Sequence, residues 1–165
     1  MKMVGKILGG IVVLLILLLG VASVTGLDPS NQRPGLWLKG DLVTGPVTDW
    51  SFTDKYRTIE IQTNTPFLIP HSVTTNFVIY NNQFYVDSIY PKGIPYPHGR
   101  RWHENVARDP HVRIKIGSQL FDRKLVLVTD PTEIATVNEI KAKKYPDLAG
   151  EMTDSTVTVF RAVDN

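Results

Sequence analysis

Two adjacent asparagines, Asn81-Asn82, separate two runs of strand-forming residues that extend from Val73 to Tyr90. Asparagine tolerates the positive φ that a two-residue hairpin turn demands, so this stretch reads as one antiparallel pair with a defined register. Counting outward from the turn places Ile79 opposite Phe84, Phe77 opposite Val86 and Thr75 opposite Ser88 on one face. Tyr80 with Gln83, Val78 with Tyr85, and Asn76 with Asp87 occupy the other. The first face is mostly apolar and looks into a core; the second is mixed and suits a cleft or a subunit contact.

The rest of the chain supplies partners for that hairpin. Leu36 to Val43 reads as a first strand ended by Gly45-Pro46. Tyr56 to Thr63 alternates Ile59, Ile61 and Thr63 against Thr58, Glu60 and Gln62, the period-two pattern of a strand with one wet face. Pro66 and Pro70 bracket Phe67-Leu68-Ile69 and argue for an edge or an irregular entry to the hairpin. Beyond the hairpin, Pro91 to Gly99 is loop by its proline and glycine content. Arg100 to Arg108 is a short helix with Trp102 and Val106 on one face, stopped by Asp109-Pro110.

A second hairpin turns at Gly117-Ser118, as a type II′ turn, and places Ile114 opposite Phe121 and Arg113 opposite Asp122. Asp130-Pro131-Thr132-Glu133 is a helix start: a capping acid, proline in the first helical position and Glu133 at the third. Ile134, Val137 and Ile140 form its buried stripe, and Lys141, Lys143 and Lys144 suit the negative end of its dipole. Tyr145-Pro146 ends it. Ser155 to Val163 is a last strand, expected to close the sheet against an early one. About seven strands and two short helices make a small, mainly β barrel with helices packed outside.

Ahead of this domain, Ile7 to Val24 is 18 residues without a charge. As a helix it spans roughly 27 Å, just enough to cross a bilayer. Lys2 and Lys6 precede it and Asp28 follows, so the positive-inside bias puts the amino terminus in the cytoplasm and the domain on the extracytoplasmic side. Two readings stay open: a retained single-pass anchor, or a signal peptide cleaved near Gly20 and Ala22. Leu27 to Gly35, with Pro29, Ser30, Asn31, Pro34 and Gly35, reads as a polar linker, so the expected division is 1–26 anchor or signal, 27–35 linker and 36–165 barrel.

Composition then removes several functions. Lys and Arg number 18 and Asp and Glu 16; with Lys2 and Lys6 set aside as part of the leader, the domain is neutral, without the basic surplus of a nucleic-acid binder. There is no cysteine, hence no disulfide, thiolate nucleophile or cysteine-ligated cluster. His71, His98, His103 and His111 offer no His-Glu-x-x-His pair, so no metal is expected. Ser72 beside His71 is adjacency only, and no catalytic residue is assigned. Arg100-Arg101 reads either as a solvated face or as an anion clamp, and Trp102 as packing beneath the helix.

The stretch from Ser72 to Tyr145 resembles the split β-barrel proteins that bind flavin or deazaflavin, a group that includes pyridoxamine 5'-phosphate oxidase-like proteins and deazaflavin-dependent nitroreductases. The likeness is carried by Tyr85-Val86-Asp87-Ser88, the Lys92-Gly93 turn, Trp102, and Asn105-Val106-Ala107-Arg108-Asp109-Pro110. It continues through Val112 to Gly117 and into the Asp130-Pro131 helix. The resemblance implies a homodimer with a cofactor ring, FMN or deazaflavin, in a cleft at the dimer interface. It implies an oxidoreductase acting on a small-molecule substrate, an acceptor such as a quinone or nitro compound. Carried over by position, Ser88, Lys92 and Gly93 match the cofactor-contacting turn, with Arg100 and Arg101 adding to a basic mouth. His71 or Tyr90 falls near the substrate side. Where the entering strand of such proteins often carries Arg or Lys, this chain has His71. That departure supports a second reading: an exported split-barrel binding or assembly module without catalysis, for haem or another ligand.

Overall fold

The computed structural model describes residues 2–30, 33–67, 69–153 and 155–165; Asn31 of the expected linker and Leu68 of the proline-bracketed segment lie outside them. Helix α1 is Lys2–Thr25, and the strands are β1 Asp41–Leu42, β2 Ile59–Thr63, β3 His71–Tyr80, β4 Gln83–Pro91, β5 His111–Ile116, β6 Gln119–Leu127 and β7 Ser155–Val163. Helices α2 Arg101–Arg108, α3 Pro131–Lys144 and α4 Ala149–Thr153 join them, with a 3-10 turn at Ser51–Thr53. Strands β2, β3, β4, β7, β6 and β5 form a closed antiparallel barrel, and β1 adds to β6 in parallel.

The first hairpin forms as the residues require. Asn81 and Asn82 take φ values of 49° and 58°, both left-handed, which matches the right-handed twist of the strands on either side. The ladder runs Tyr80–Gln83, Ile79–Phe84, Val78–Tyr85, Phe77–Val86 and Asn76–Asp87. It stops there: Thr75 sends its hydroxyl to the Asp87 carbonyl at 2.8 Å instead of pairing with Ser88. The second hairpin also has the expected register, Ile114–Phe121 and Arg113–Asp122, and only Gly117 of its turn has positive φ, in keeping with a type II′ turn.

Inside the barrel, Ile59, Ile61, Phe77, Phe84, Val86, Ile114, Phe121 and Phe160 are buried, with Trp50 against Phe84 and Phe121. Phe77 and Phe84 stack with centroids 5.1 Å apart. Burial of each such ring contributes about 2–3 kcal/mol. The other face of the hairpin is covered at Val78 and Tyr85, while Asn76 and Asp87 at its far end line a cleft. Helix α3 packs on it, so Val78 and Tyr85 join Val137, Tyr145 and Val159 in a second apolar cluster. The Tyr145 hydroxyl fixes this layer, 2.7 Å from the Phe77 carbonyl and 2.8 Å from that of Arg57.

Asp130 caps α3 by accepting from the Thr132 amide at 3.0 Å, with Pro131 at the helix start. Glu133 turns to the sheet, where Tyr85 donates to it at 2.7 Å and Arg161 clasps both its oxygens. Burial and this carboxylate together push the Tyr85 phenol up to about 12.

Three expectations change. The first strand shrinks from Leu36–Val43 to Asp41–Leu42, because its alternation finds a partner only along the start of β6. The barrel carries three helices instead of two, α4 having no periodic apolar stripe to announce it. The last strand closes the ring between β4 and β6, not against an early strand.

Candidate functional site

Beyond Asn76–Asp87 the two central strands part. The first half of β3 stays with β2, from Ile59–Thr75 to Thr63–His71, while β4 continues along β7 from Ser88–Thr158 to Pro91–Ser155. Neither strand can pair with the other across the gap. A cleft of about 600 Å³ occupies it, within the size range of small-molecule and cofactor sites.

Its walls come from separate parts of the chain. His71, Thr75 and Asn76 line it from β3, and Asp87, Ser88 and Ile89 from β4. Arg100, Arg101 and Trp102 close one side at the start of α2; Arg33 and Pro34, with Leu148 and Glu151, close the rest. The helix starts here because Trp102 and Val106 share a buried face, both 4% exposed. Trp102 is therefore both core and cleft wall.

The polar groups have unequal freedom. The Arg100 guanidinium donates to the Ile89 carbonyl at 2.7 Å, which ties α2 to β4 across the gap. His71 is half-buried, and burial with the nearby Arg101 charge lowers its pKa, which favours the uncharged imidazole; its Nδ1 is buried without a partner. Ser88 is nearly buried.

Beneath the cleft, Asp87 is ion-paired with Lys141 of α3, both side chains wholly buried. One Asp87 oxygen faces Lys141 and the other, Oδ1, has no partner. Burial pulls the Lys141 ammonium down to about 8, with Glu151 opposing the shift. Removing either partner would strand a charge in a dry environment. Sequence reading placed Lys141 with Lys143 and Lys144 at the negative end of the helix dipole, and Ile134, Val137, Lys141 and Tyr145 also follow one helical stripe. That spacing was the available signal.

Of the six residues expected at the site, the fold brings together Ser88, His71, Arg100 and Arg101. Lys92 and Gly93 sit on the exposed turn after β4 and are not among the lining residues; Gly93 there has φ of +86°. Tyr90 is buried, bonded to Thr158 at 2.7 Å and packed on His103. His103 lies behind the cleft among Tyr90, Tyr96, Trp102 and Phe160, with both ring nitrogens unpartnered. Burial, aided by Arg100, drops its pKa to about 4. Arg33, Glu151 and Lys141 were not foreseen at the site, whereas Asp87 lies with Asn76 on the hairpin face expected to suit a cleft. Among the described residues no three His, Asp or Glu side chains converge as a metal-ligating group.

No protein-family model and no curated protein matches the sequence. Solved structures do match the fold. A conserved hypothetical protein from Mycobacterium tuberculosis superposes with a TM-score of 0.55 at 18% identity, covering 82% of this chain and 86% of that one. HutZ, the heme storage protein from Vibrio cholerae, gives 0.54 at 18% identity over 69% of this chain and 85% of its own. An F420-H2 dependent reductase gives 0.51 at 21% identity over 65% and 94%. The chain thus shares its split-barrel fold with these proteins.

Proposed function

We propose that the chain is a membrane-anchored split barrel whose cleft holds a flavin-type cofactor, FMN or deazaflavin, for hydride or electron transfer to a small acceptor such as a quinone or nitro compound. The observation that carries this reading is the convergence of Ser88, His71, Arg100 and Arg101 where β3 and β4 part. The residues fit the group. Arg100 and Arg101 supply charge for a phosphate, Ser88 a hydroxyl donor, and the free Nδ1 of His71 one more polar contact. Lys92 and Gly93 stay in this reading as an outer phosphate contact from the turn beyond Ile89.

The bound cofactor would supply the redox chemistry; the protein's part is orientation and electrostatics. The basic wall holds the anionic end, and His71 and Trp102 shape the remainder. A homodimer completes the reading, with the cleft at the contact between subunits. Helix α1 keeps the barrel at the cell membrane, its lysine-bearing end in the cytoplasm and the barrel on the far side.

A second reading, a binding module without catalysis, is favoured by one observation: the cleft wall includes a histidine, His71, the residue type that holds haem iron in many haem proteins. The absorption spectrum of the full chain, purified in detergent, separates these. Flavin or deazaflavin bands, retained or regained on adding FMN or the deazaflavin, are expected. A protein that takes up haem alone supports the second reading, and one that takes up none of the three overturns both.

A further inference from the structure

We propose that the cleft-bearing pole of the barrel rests on the lipid headgroup layer, so that the cleft mouth opens at the bilayer surface instead of into bulk water. This rests on the part of the preceding reading that keeps α1 in the membrane, and not on any cofactor.

The join between helix and barrel is the first observation. Gly26 ends α1 with φ of +84°, its amide donating to the Ala22 carbonyl at 2.9 Å. The next residue is already bonded to the domain: the Leu27 amide donates to the Trp37 carbonyl at 2.9 Å, and the Leu36 amide to the Leu27 carbonyl at 2.8 Å. Asp28 pairs with Lys115 of β5. Gly35 then exchanges two backbone bonds with Ser72, at 2.8 and 3.0 Å, and there is no room for a side chain at Gly35 against Leu27 and Pro29. The 27–35 segment is therefore stitched to the barrel at both ends and leaves no swinging tether. Pro34 and His71, each next to this Gly35–Ser72 bridge, line the cleft. Counting residues along these bonds puts the cleft rim within roughly 15 Å of the end of the helix.

What faces outward at that pole is the second observation. Phe67, just before the strand that carries His71 and Ser72, is 76% exposed, and Ile69 and Leu27 are 37% and 51% exposed. Large apolar side chains in water at the foot of a membrane helix suit the interfacial zone. Arg33, Arg100 and Arg101 are exposed around the mouth; of the two acids that line the cleft, Asp87 is buried and paired with Lys141, which leaves Glu151 to oppose them, and the guanidinium groups suit phosphate-bearing headgroups. The opposite pole differs. Strand β3 carries the chain away from the bridge over ten residues to the Asn81-Asn82 turn, roughly 25–30 Å off. There Asn82 bonds to the carbonyl of the exposed Thr48.

The chain has no cysteine, so single substitutions give clean labelling sites. Full-length Phe67→Cys, Arg33→Cys and Thr48→Cys are each labelled with an environment-sensitive fluorophore and placed in nanodiscs of mixed neutral and anionic phospholipid carrying headgroup spin labels. The labels at 67 and 33 are expected to lose most of their fluorescence, and the one at 48 to keep nearly all of it. A long Gly-Ser insert between Gly26 and Leu27 is expected to restore much of the signal at 67. Labels at 67 and 33 that stay bright, or a label at 48 quenched as strongly as they are, overturn the proposal. A chain that fails to stay with the nanodiscs overturns it through the anchor. FMN binding, measured on the same samples, tests the cofactor separately.

Discussion

The hairpin that organises the barrel has two halves built from the same pair of strands. Near the Asn81-Asn82 turn, the stretch from Phe77 to Val86 is sealed on both faces, by the stacked Phe77 and Phe84 inside and by α3 outside. Beyond Asn76–Asp87 the strands part, and Ser72, His71 and Asp87 each keep a buried polar atom without a partner. The sealed half carries stability; the parted half gives up hydrogen bonds it could have made and gains a cavity. A buried polar atom left unpaired costs about 1–3 kcal/mol, so the open half is tolerable only because the closed half is well packed.

That contrast breaks most readily in the sealed half. Phe77→Ala should lower stability by about 4 kcal/mol in urea unfolding, since it leaves a cavity against Phe84. A loss under about 1 kcal/mol would mean that the half is not close-packed. Next comes the seam between the halves: Lys141→Met strands Asp87 and should cost about 3 kcal/mol, whereas Asp87→Leu with Lys141→Met recovers most of the loss. If the double variant is no better than the single one, the buried pair is not acting as a unit.

Protonation gives a third test. The folded pKa of His103 is about 4 and its ordinary value 6.5, so between these limits the unfolded chain binds more protons. Stability therefore falls as the pH drops from about 6.5 toward 4, by about 3 kcal/mol in all, and His103→Phe should flatten that part of the profile. The smallest change in stability belongs to the open half. Arg101→Ala should shift unfolding by no more than about 0.5 kcal/mol while weakening FMN binding about tenfold, as read by fluorescence titration. Unchanged affinity would remove Arg101 from the site.

The two halves were not equally legible in the sequence. Where an element is set by neighbouring residues, the reading carried through: Asn81-Asn82 and Gly117 fixed two registers, and Asp130-Pro131 fixed a helix start. Of the three residues carried over by likeness, Ser88 lines the cleft while Lys92 and Gly93 do not; Arg100 and Arg101, expected beside them at the helix start, line it too. What escaped depends on distance along the chain. The strands separate only because β2 and β7 claim opposite edges, and the Asp87–Lys141 pair joins residues 54 apart. Leu36 to Gly40 has the alternation of a strand, but Leu36 and Trp37 bond to Leu27 and Leu38 to the Gln62 side chain instead of to a strand ladder, so pattern alone misled there. Arg33 reaches the cleft through the Gly35–Ser72 bridge, which no local pattern announces.

Among the described strands, β7 joins β4 to β6, and it follows both of them in sequence. Until residues 155–163 emerge, both neighbours present bare edges and the ring is a half-built sheet. Closure of the ring must therefore wait until that stretch is available to pair with both edges. Premature release of a shortened chain would leave an adhesive intermediate, open to clearance by proteases.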